Sequence, residues 1–382
     1  MAASLGNLPE EVMIEILSRL PPESLVRFKC VRKSWYALIN NPNFATKHFA
    51  NFPQSSTTVL LKRLVTEESG NKQNMFTFLK FPLHDHQSAS VLDFDLPFDE
   101  NFQYFEFRGH SHGLVCLSDL RSDIILCNPA TREFRKLPPS ILLLTEPPEE
   151  PDGYDSSTNA VGFGYDPRSR DFKVVRVVNF VEGPGFFHPP RVEVYDLGKD
   201  RWREIKTPVC GHVFWAPSFD MYHEGMYYWW ADAEGGSEII QSFDMSEEVF
   251  RPIPVPESFE ELREKYRSMG VWKGSIVLFH YLPGADEKTF DIWAMEKDNS
   301  GGVSWSKALT IGPVSGIEKP LVFVSSDELL MEAKDGQVIL YNVNTGQVKE
   351  LPVKGHPGRF HATVLLKSLV SVKGGNNFSF EF

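Results

Sequence analysis

Cysteine is scarce in this chain of 382 residues. Its four examples, Cys30, Cys116, Cys127 and Cys210, lie far apart and form no Cys-x-x-Cys pair. That argues against a disulfide framework or a zinc site and predicts reduced, buried thiols. No stretch approaches the ~18 apolar residues that span a bilayer. Residues 1–8 hold neither positive charge nor an apolar run, so no secretory leader is expected. A cytosolic or nuclear protein follows, in which the sequon Asn377-Phe378-Ser379 stays unused. Catalytic motifs are scarce too. Ser111 has Gly-x-Ser-x-Gly spacing, at residues 109–113, but an apolar strand follows it rather than the helix of a nucleophile elbow; no Cys–His pair suggests a nucleophile, and no spacing pairs the carboxylates. Gly162-Phe163-Gly164 lacks the third glycine and helix start of a phosphate loop, so bulging or tight strand packing is its expected role. A non-enzyme without cofactor, metal or catalytic residues is the expectation. Positive charge is short outside the first fifty residues. Those fifty carry six Lys/Arg and four Asp/Glu, and the remainder carries 33 and 47, a balance of −14. Such a surface repels nucleic acid and anionic membranes and attracts a basic partner.

What is plentiful is aromatic residues, at 13%, with 27 glycines and 27 prolines. Many turns and many aromatics favour β structure. Helical patterning is confined to residues 7–48. Asn7 suits a cap, and Pro9, Glu10 and Glu11 suit a first turn. Val12, Ile16 and Leu20 recur every four residues beside Met13 and Leu17, giving one apolar stripe. Pro21-Pro22 ends that helix. A second passes through Leu25 and Phe28, and a third holds Trp35, Leu38 and Ile39 and stops before Pro42. Residues 49–57 read as a linker.

From residue 58 the helical period vanishes and a unit repeats: a strand, a polar turn, then a bulky residue and a proline. Asp196, Asp244, Glu296 and Asn342 occupy the turn slot at intervals of 48, 52 and 46. Upstream of each copy lies a Gly or Asp turn followed by an apolar strand, as at Gly113-Leu114-Val115 and Gly225-Met226-Tyr227. Several strands per ~45–50 residues is blade spacing in a β-propeller. With residues 57–64 as an extra strand, about six blades are expected over residues 58–382, behind a small all-α unit at 1–48.

Residues 8–35 resemble the F-box motif. The resemblance rests on Leu8-Pro9-Glu10-Glu11-Val12, Ile16-Leu17, Leu20-Pro21, Leu25-Val26-Arg27-Phe28, Val31 and Lys33-Ser34-Trp35. It implies a three-helix unit that docks on a Skp-family adaptor, which joins it to a cullin and a RING protein. The matching core or adaptor-contact positions are Leu8, Pro9, Ile16, Leu17, Leu20, Pro21, Leu25, Phe28, Val31 and Trp35. The repeats resemble the kelch-like F-box-associated domain of plant F-box proteins, nearest the S-locus F-box and S-locus-F-box-like group. That likeness is carried by residues 126–139, Gly162-Phe163-Gly164-Tyr165, Ser242-Phe243-Asp244-Met245 and Ile292-Trp293. It implies a target receptor of a ubiquitin ligase that marks proteins for proteasomal degradation. S-ribonucleases of pollen self-incompatibility are the implied clients. Another plant target, such as an immune receptor, or a non-degradative scaffold are the alternatives. A propeller enzyme would need convergent groups at the central channel, and the sequence offers none.

Individual motifs have competing readings. His110-Ser111-His112 and His84-Asp85-His86 have the spacing of metal ligands on a strand, but no third ligand is evident and surface turn histidines are expected. Tyr227-Tyr228-Trp229-Trp230 reads as blade core rather than a binding patch. Residues 146–155, with Glu146, Glu149, Glu150, Asp152 and Asp155, and residues 180–190, with Phe186 and Phe187, read as long loops. They are either solvated or recognise the target.

Overall fold

A computed structural model of the chain describes residues 9–52, 56–67, 70–82, 89–94, 105–119, 123–144, 154–183, 186–213, 220–233, 235–256, 259, 266–298 and 302–373. The chain begins with a helical head of α1 (Glu10–Leu17), α2 (Pro22–Phe28), α3 (Lys33–Ile39) and α4 (Pro42–Asn51). Proline starts α2 and α4, where a missing amide donor costs nothing. Asn41 caps α4 by accepting a bond from the Asn43 amide at 2.9 Å. This fourth helix was not foreseen. It runs into the stretch expected to be linker, and the first strand already begins at Ser56.

Six antiparallel sheets follow as blades of a propeller. The first holds β1 (Ser56–Thr66), β2 (Lys72–Pro82) and β3 (Ser90–Phe94). The second is β4 (Glu106–Ser111), β5 (Leu114–Ser118), β6 (Ile124–Asn128) and β7 (Glu133–Lys136). The third is β8 (Tyr154–Asp166), β9 (Asp171–Glu182), β10 (Phe186–Asp196) and β11 (Arg201–Ile205). The fourth has β12 (Gly211–Val213), β13 (Asp220–His223), β14 (Met226–Ala233), β15 (Glu238–Asp244) and β16 (Val249–Pro254). The fifth is β17 (Tyr266–Trp272), β18 (Ser275–Tyr281), β19 (Glu287–Lys297) and β20 (Val303–Ser315). The sixth is β21 (Ile317–Phe323), β22 (Glu328–Ala333), β23 (Gln337–Asn342) and β24 (Val348–Lys354). Finally β25 (His361–Val364) returns to pair with β1, Val364 opposite Val59. The last strand thus becomes the innermost strand of the first blade and closes the ring. Residues of β4, β13, β17, β21 and β25 line a central cavity of about 180 Å³.

The repeating sequence unit is the third and fourth strands of each blade. In three blades its Asp or Asn forms an Asx turn. Asn128 Oδ1 accepts from the Ala130 amide, Asp244 Oδ1 from Ser246 and Glu247, and Asn342 Oδ1 from Asn344 and Thr345. The following aromatic ties blades together: Trp202 donates to the Pro138 carbonyl and Trp305 to that of Pro254, each at 2.8 Å. The upstream turns are hairpins with two positive φ angles, as at His112 (49°) and Gly113 (85°).

The core lies between blades. Tyr227 and Trp229 pack with Val175 and Val194 of the third blade, whereas Tyr228 and Trp230 pack with Ile276 and Leu278 of the fifth. These four aromatics are core, as expected. Gly162 and Gly164 explain themselves here. A Cβ at Gly162 would lie 2.6 Å from the Trp229 ring, and one at Gly164 2.1 Å from that of Tyr222.

Past β25 the chain does not leave the ring. Residues 365–373 form a strap from the first blade to the second. Asn128 Nδ2 donates to the carbonyls of Ser368 (3.1 Å) and Val370 (2.7 Å), and Arg135 to that of Lys373 (2.8 Å). Leu369, Val370 and Val372 are buried in one cluster with Leu17, Leu25, Ile39 and Phe44 of the head and Leu114, Cys116 and Leu126 of the second blade. Head, strap and ring therefore share a core. No helix among the described residues is long and apolar enough to cross a membrane.

Candidate functional site

The head has two faces. On α1, Met13 and Leu17 turn inward, with Leu17 3% exposed, while Val12 and Ile16 turn out, Ile16 being 48% exposed. The single stripe read from the sequence is thus two stripes, each at i, i+4 spacing. Met13 Sδ accepts from the Trp35 indole at 3.0 Å, Phe28 packs on Trp35 at 5.5 Å, and the Arg32 guanidinium lies 5.2 Å from the Trp35 ring centre. His48 lies buried with Nε2 2.8 Å from the Leu20 carbonyl, and burial holds its pKa below the usual value. Of the ten expected core or adaptor positions, Leu17 and Leu25 are buried, and Leu20, Phe28 and Trp35 are half-buried. Pro9, Ile16, Pro21 and Val31 are exposed, and Leu8 lies outside the described residues. Val12, within the matching Leu8–Val12 segment but not among those ten, and Tyr36 add exposed apolar surface. Only burial separates these two from their inward neighbours.

The inner face is fixed to the ring. Glu23 of α2 pairs with Lys367 of the strap, and Phe49 packs on His112 at 5.2 Å. His112 does occupy a hairpin turn, but it is not a surface residue. It sits among Phe49, Tyr165 and Phe172, and burial, helped by His110, lowers its pKa to about 3. His110 lines the central cavity instead, so the expectation of a surface turn histidine fails for it as well. His84 and His86 lie outside the described residues. Among the described residues no group of three or more His, Cys, Asp or Glu is placed to hold a metal. The four cysteines are free, and burial pushes the Cys127 thiol up to about 12.

Perturbed acids mark active sites in many enzymes, but here they serve the joints between blades. Burial would raise Asp166, yet hydrogen bonds from Lys173, Ser169 and Ser246 outweigh it and hold the carboxyl at about 2. Lys173 bridges Asp166 and Glu248, both at 2.7 Å, across the third and fourth blades. Arg176 and Glu193 form a fully buried pair at 3.1 Å, and Glu193 also accepts from Ser140 Oγ and the Ile141 amide.

The third blade differs from its neighbours. Residues 180–190, expected as a loop, are mostly strand. Tyr154, Asp155 and Ser156 pair with Glu182, Val181 and Phe180, and Phe186 and Phe187 pair with Glu182 and Val181. Pro189 and Pro190 sit where the register shifts between His188 and Arg191, which is how a strand admits them. The three strands project together, propped by a small cluster of Leu142, Val178 and Phe180. Phe187 on this extension is 71% exposed, Asp155 is exposed, and so are Ile141 and Leu144 in the preceding segment, whose amides bond Glu193 and Ser156 of the same blade. Glu146, Glu149, Glu150 and Asp152 lie outside the described residues, as does the Phe186 side chain.

Two family models match the chain. Residues 62–356 match the F-box associated beta propeller domain, and residues 5–50 match an F-box-like domain. An F-box/kelch-repeat protein of Arabidopsis thaliana is 30% identical over 370 residues, covering 96% of each chain. The F-box protein CPR1 of Arabidopsis thaliana is 26% identical over 394 residues, covering 96% of this chain and 89% of its own.

Proposed function

This chain belongs to the F-box-associated β-propeller family and carries an F-box-like head, and from that premise we propose that it is the target-choosing subunit of a Skp–cullin–F-box ubiquitin ligase. The observation that carries the proposal is the two-faced head. Val12, Ile16 and Val31 remain exposed while Leu17, Leu25 and Ile39 are locked into the ring. Exposed apolar surface on so small a helical unit marks an interface. The Skp-family adaptor would cover it together with Pro9 and Pro21, and a cullin and RING protein would follow through the adaptor. Leu17 and Leu25 would act indirectly, by holding the helices in place. The chain itself makes or breaks no bond; it places a target lysine near a ubiquitin donor. The test is co-purification with a Skp-family adaptor. The Val12→Glu/Ile16→Glu variant should lose the adaptor and keep its thermal midpoint, because both side chains face solvent. Undiminished capture would overturn the proposal.

The extension of the third blade is the surface we assign to the target. It combines Phe187, Leu144 and Ile141 with Asp155, on a chain of net charge −12. A basic client with an apolar anchor fits that chemistry, and opposite charge speeds its encounter. Basic secreted ribonucleases, the clients implied by the S-locus resemblance, meet this description. Phe187→Ser should slow or abolish capture of such a ribonuclease while adaptor binding persists. Failure of any basic ribonuclease to bind the unaltered chain would remove that client and leave the ligase role standing.

A further inference from the structure

We propose that the groove between the helical head and the first two blades binds a small amphipathic anion, an apolar organic body carrying a carboxylate, sulfate or phosphate. The cavity measures about 630 Å³, within the range of small-molecule sites. Four separate elements build it: α2, the β2–β3 pair, the turn between β6 and β7, and the strap. Its apolar side comes from the blade and the strap. Phe78 and Leu92 are opposed across β2 and β3, and Leu366 lies on the strap. Leu92 is 66% exposed, and Leu366 is exposed on a strap whose other residues are mostly buried. A covering apolar body accounts for that exposure.

The charge of the lining is opposite to that of the protein. Arg27, Lys80, Arg132 and Lys367 face the groove against a single acid, Glu23, a balance of +3 in a chain of −12. Lys367 is already paired with Glu23. Among the described residues Arg27 bonds the Ser24 hydroxyl, at 3.2 Å, and forms no ion pair. Lys80 and Arg132 make no ion pair among the described residues. Arg132 is held in place by its backbone, at φ 58° in the turn after β6. Four cations against one acid among the described residues, around an apolar floor, specify a ligand that is both apolar and negative. A purely inorganic anion would leave the floor uncovered, and a neutral hydrocarbon would leave the cations unpaired. Because the walls come from both head and ring, an occupant would also tie the two together.

The probe is 8-anilinonaphthalene-1-sulfonate, compared with N-phenyl-1-naphthylamine, the same ring system without its anion. The full chain should bind the sulfonate saturably at one site, about tenfold more tightly than the neutral amine. Lys80→Glu/Arg132→Glu changes two exposed side chains and should weaken the sulfonate about tenfold or more while leaving the amine unchanged. Val12→Glu/Ile16→Glu alters a separate exposed apolar patch on the head and should leave binding as it was. Equal affinity for the two probes, or sulfonate binding that survives the charge reversal, would overturn the proposal. So would sulfonate binding lost only with Val12 and Ile16.

Discussion

Asn128→Asp tests the strap with a change of a single atom pair. In the native chain the four contacts of the amide fix its orientation. Oδ1 accepts from the Ala130 and Thr131 amides, and Nδ2 donates to the Ser368 and Val370 carbonyls. Aspartate keeps the two acceptor contacts, so the turn after β6 survives. It loses both donor contacts and sets a carboxylate oxygen against two carbonyl oxygens at about the same 2.7–3.1 Å. Each buried acceptor left unmet costs about 1–3 kcal/mol, so about 2–6 kcal/mol is expected in all. For a chain of this length that corresponds to a fall in melting temperature of roughly 3–8 °C at neutral pH. The sign with pH is equally specific. Burial and the facing carbonyls raise the folded-state pKa of the new acid above its unfolded value, so its contribution is most favourable at low pH and is lost as pH rises through the folded pKa. Once protonated it can also donate to one carbonyl again. The gap to the native protein should therefore narrow at pH 5 and widen at pH 8, measured by calorimetry. A variant melting within about 1 °C of native at pH 8 would refute the strap's role.

Three further outcomes are expected. Removing residues 1–52 strips the cover from Leu114, Cys116, Leu126 and Val370, so the remaining ring should melt earlier and bind hydrophobic dye; a headless chain as stable as the whole would contradict the shared core. Arg176→Met leaves Glu193 charged and buried, costing about 3–5 kcal/mol, and adding Glu193→Met should restore much of the loss in a double-mutant thermal series. Burial raises the Glu332 carboxyl to about 7 despite Lys319, so stability present at acid pH is lost as pH rises through 7; Glu332→Gln should be flatter between pH 5 and 8 in urea titrations.

The outer strands of the ring were legible because they carry local chemistry. The Asx residues Asp196, Asp244 and Asn342 and the inter-blade tryptophans recur at blade spacing, since each blade must turn and be tied in the same way. The innermost strands were not legible. Strands β12, β13 and β25 have three or four residues each, too few for a period of two to declare itself. Pairing of β25 with β1 joins residues 300 positions apart, and nothing local announces it. On the head, i, i+4 spacing showed a helix but not which of its two apolar edges the ring would cover, since seven- and eight-residue helices take their orientation from what they dock against. His112 was seen as a turn residue and missed as a half-buried, packed one, because the aromatics around it come from α4 and the third blade. The extended third blade was hidden by its prolines, which read as loop and are accommodated by a bulge.

The closure of the ring has a consequence for how the protein is made. A ribosome delivers the head first and residues 361–372 after all six blades. Until then β1 lacks its inner neighbour and the buried side of α2 lacks the valines that cover it. A nascent or interrupted chain therefore exposes apolar surface from its first fifty residues onward, however well its middle blades have folded. Only a chain translated through Val372 hides that signal from chaperones and proteases. The same twelve residues that shut the ring thus certify that everything before them has been synthesised.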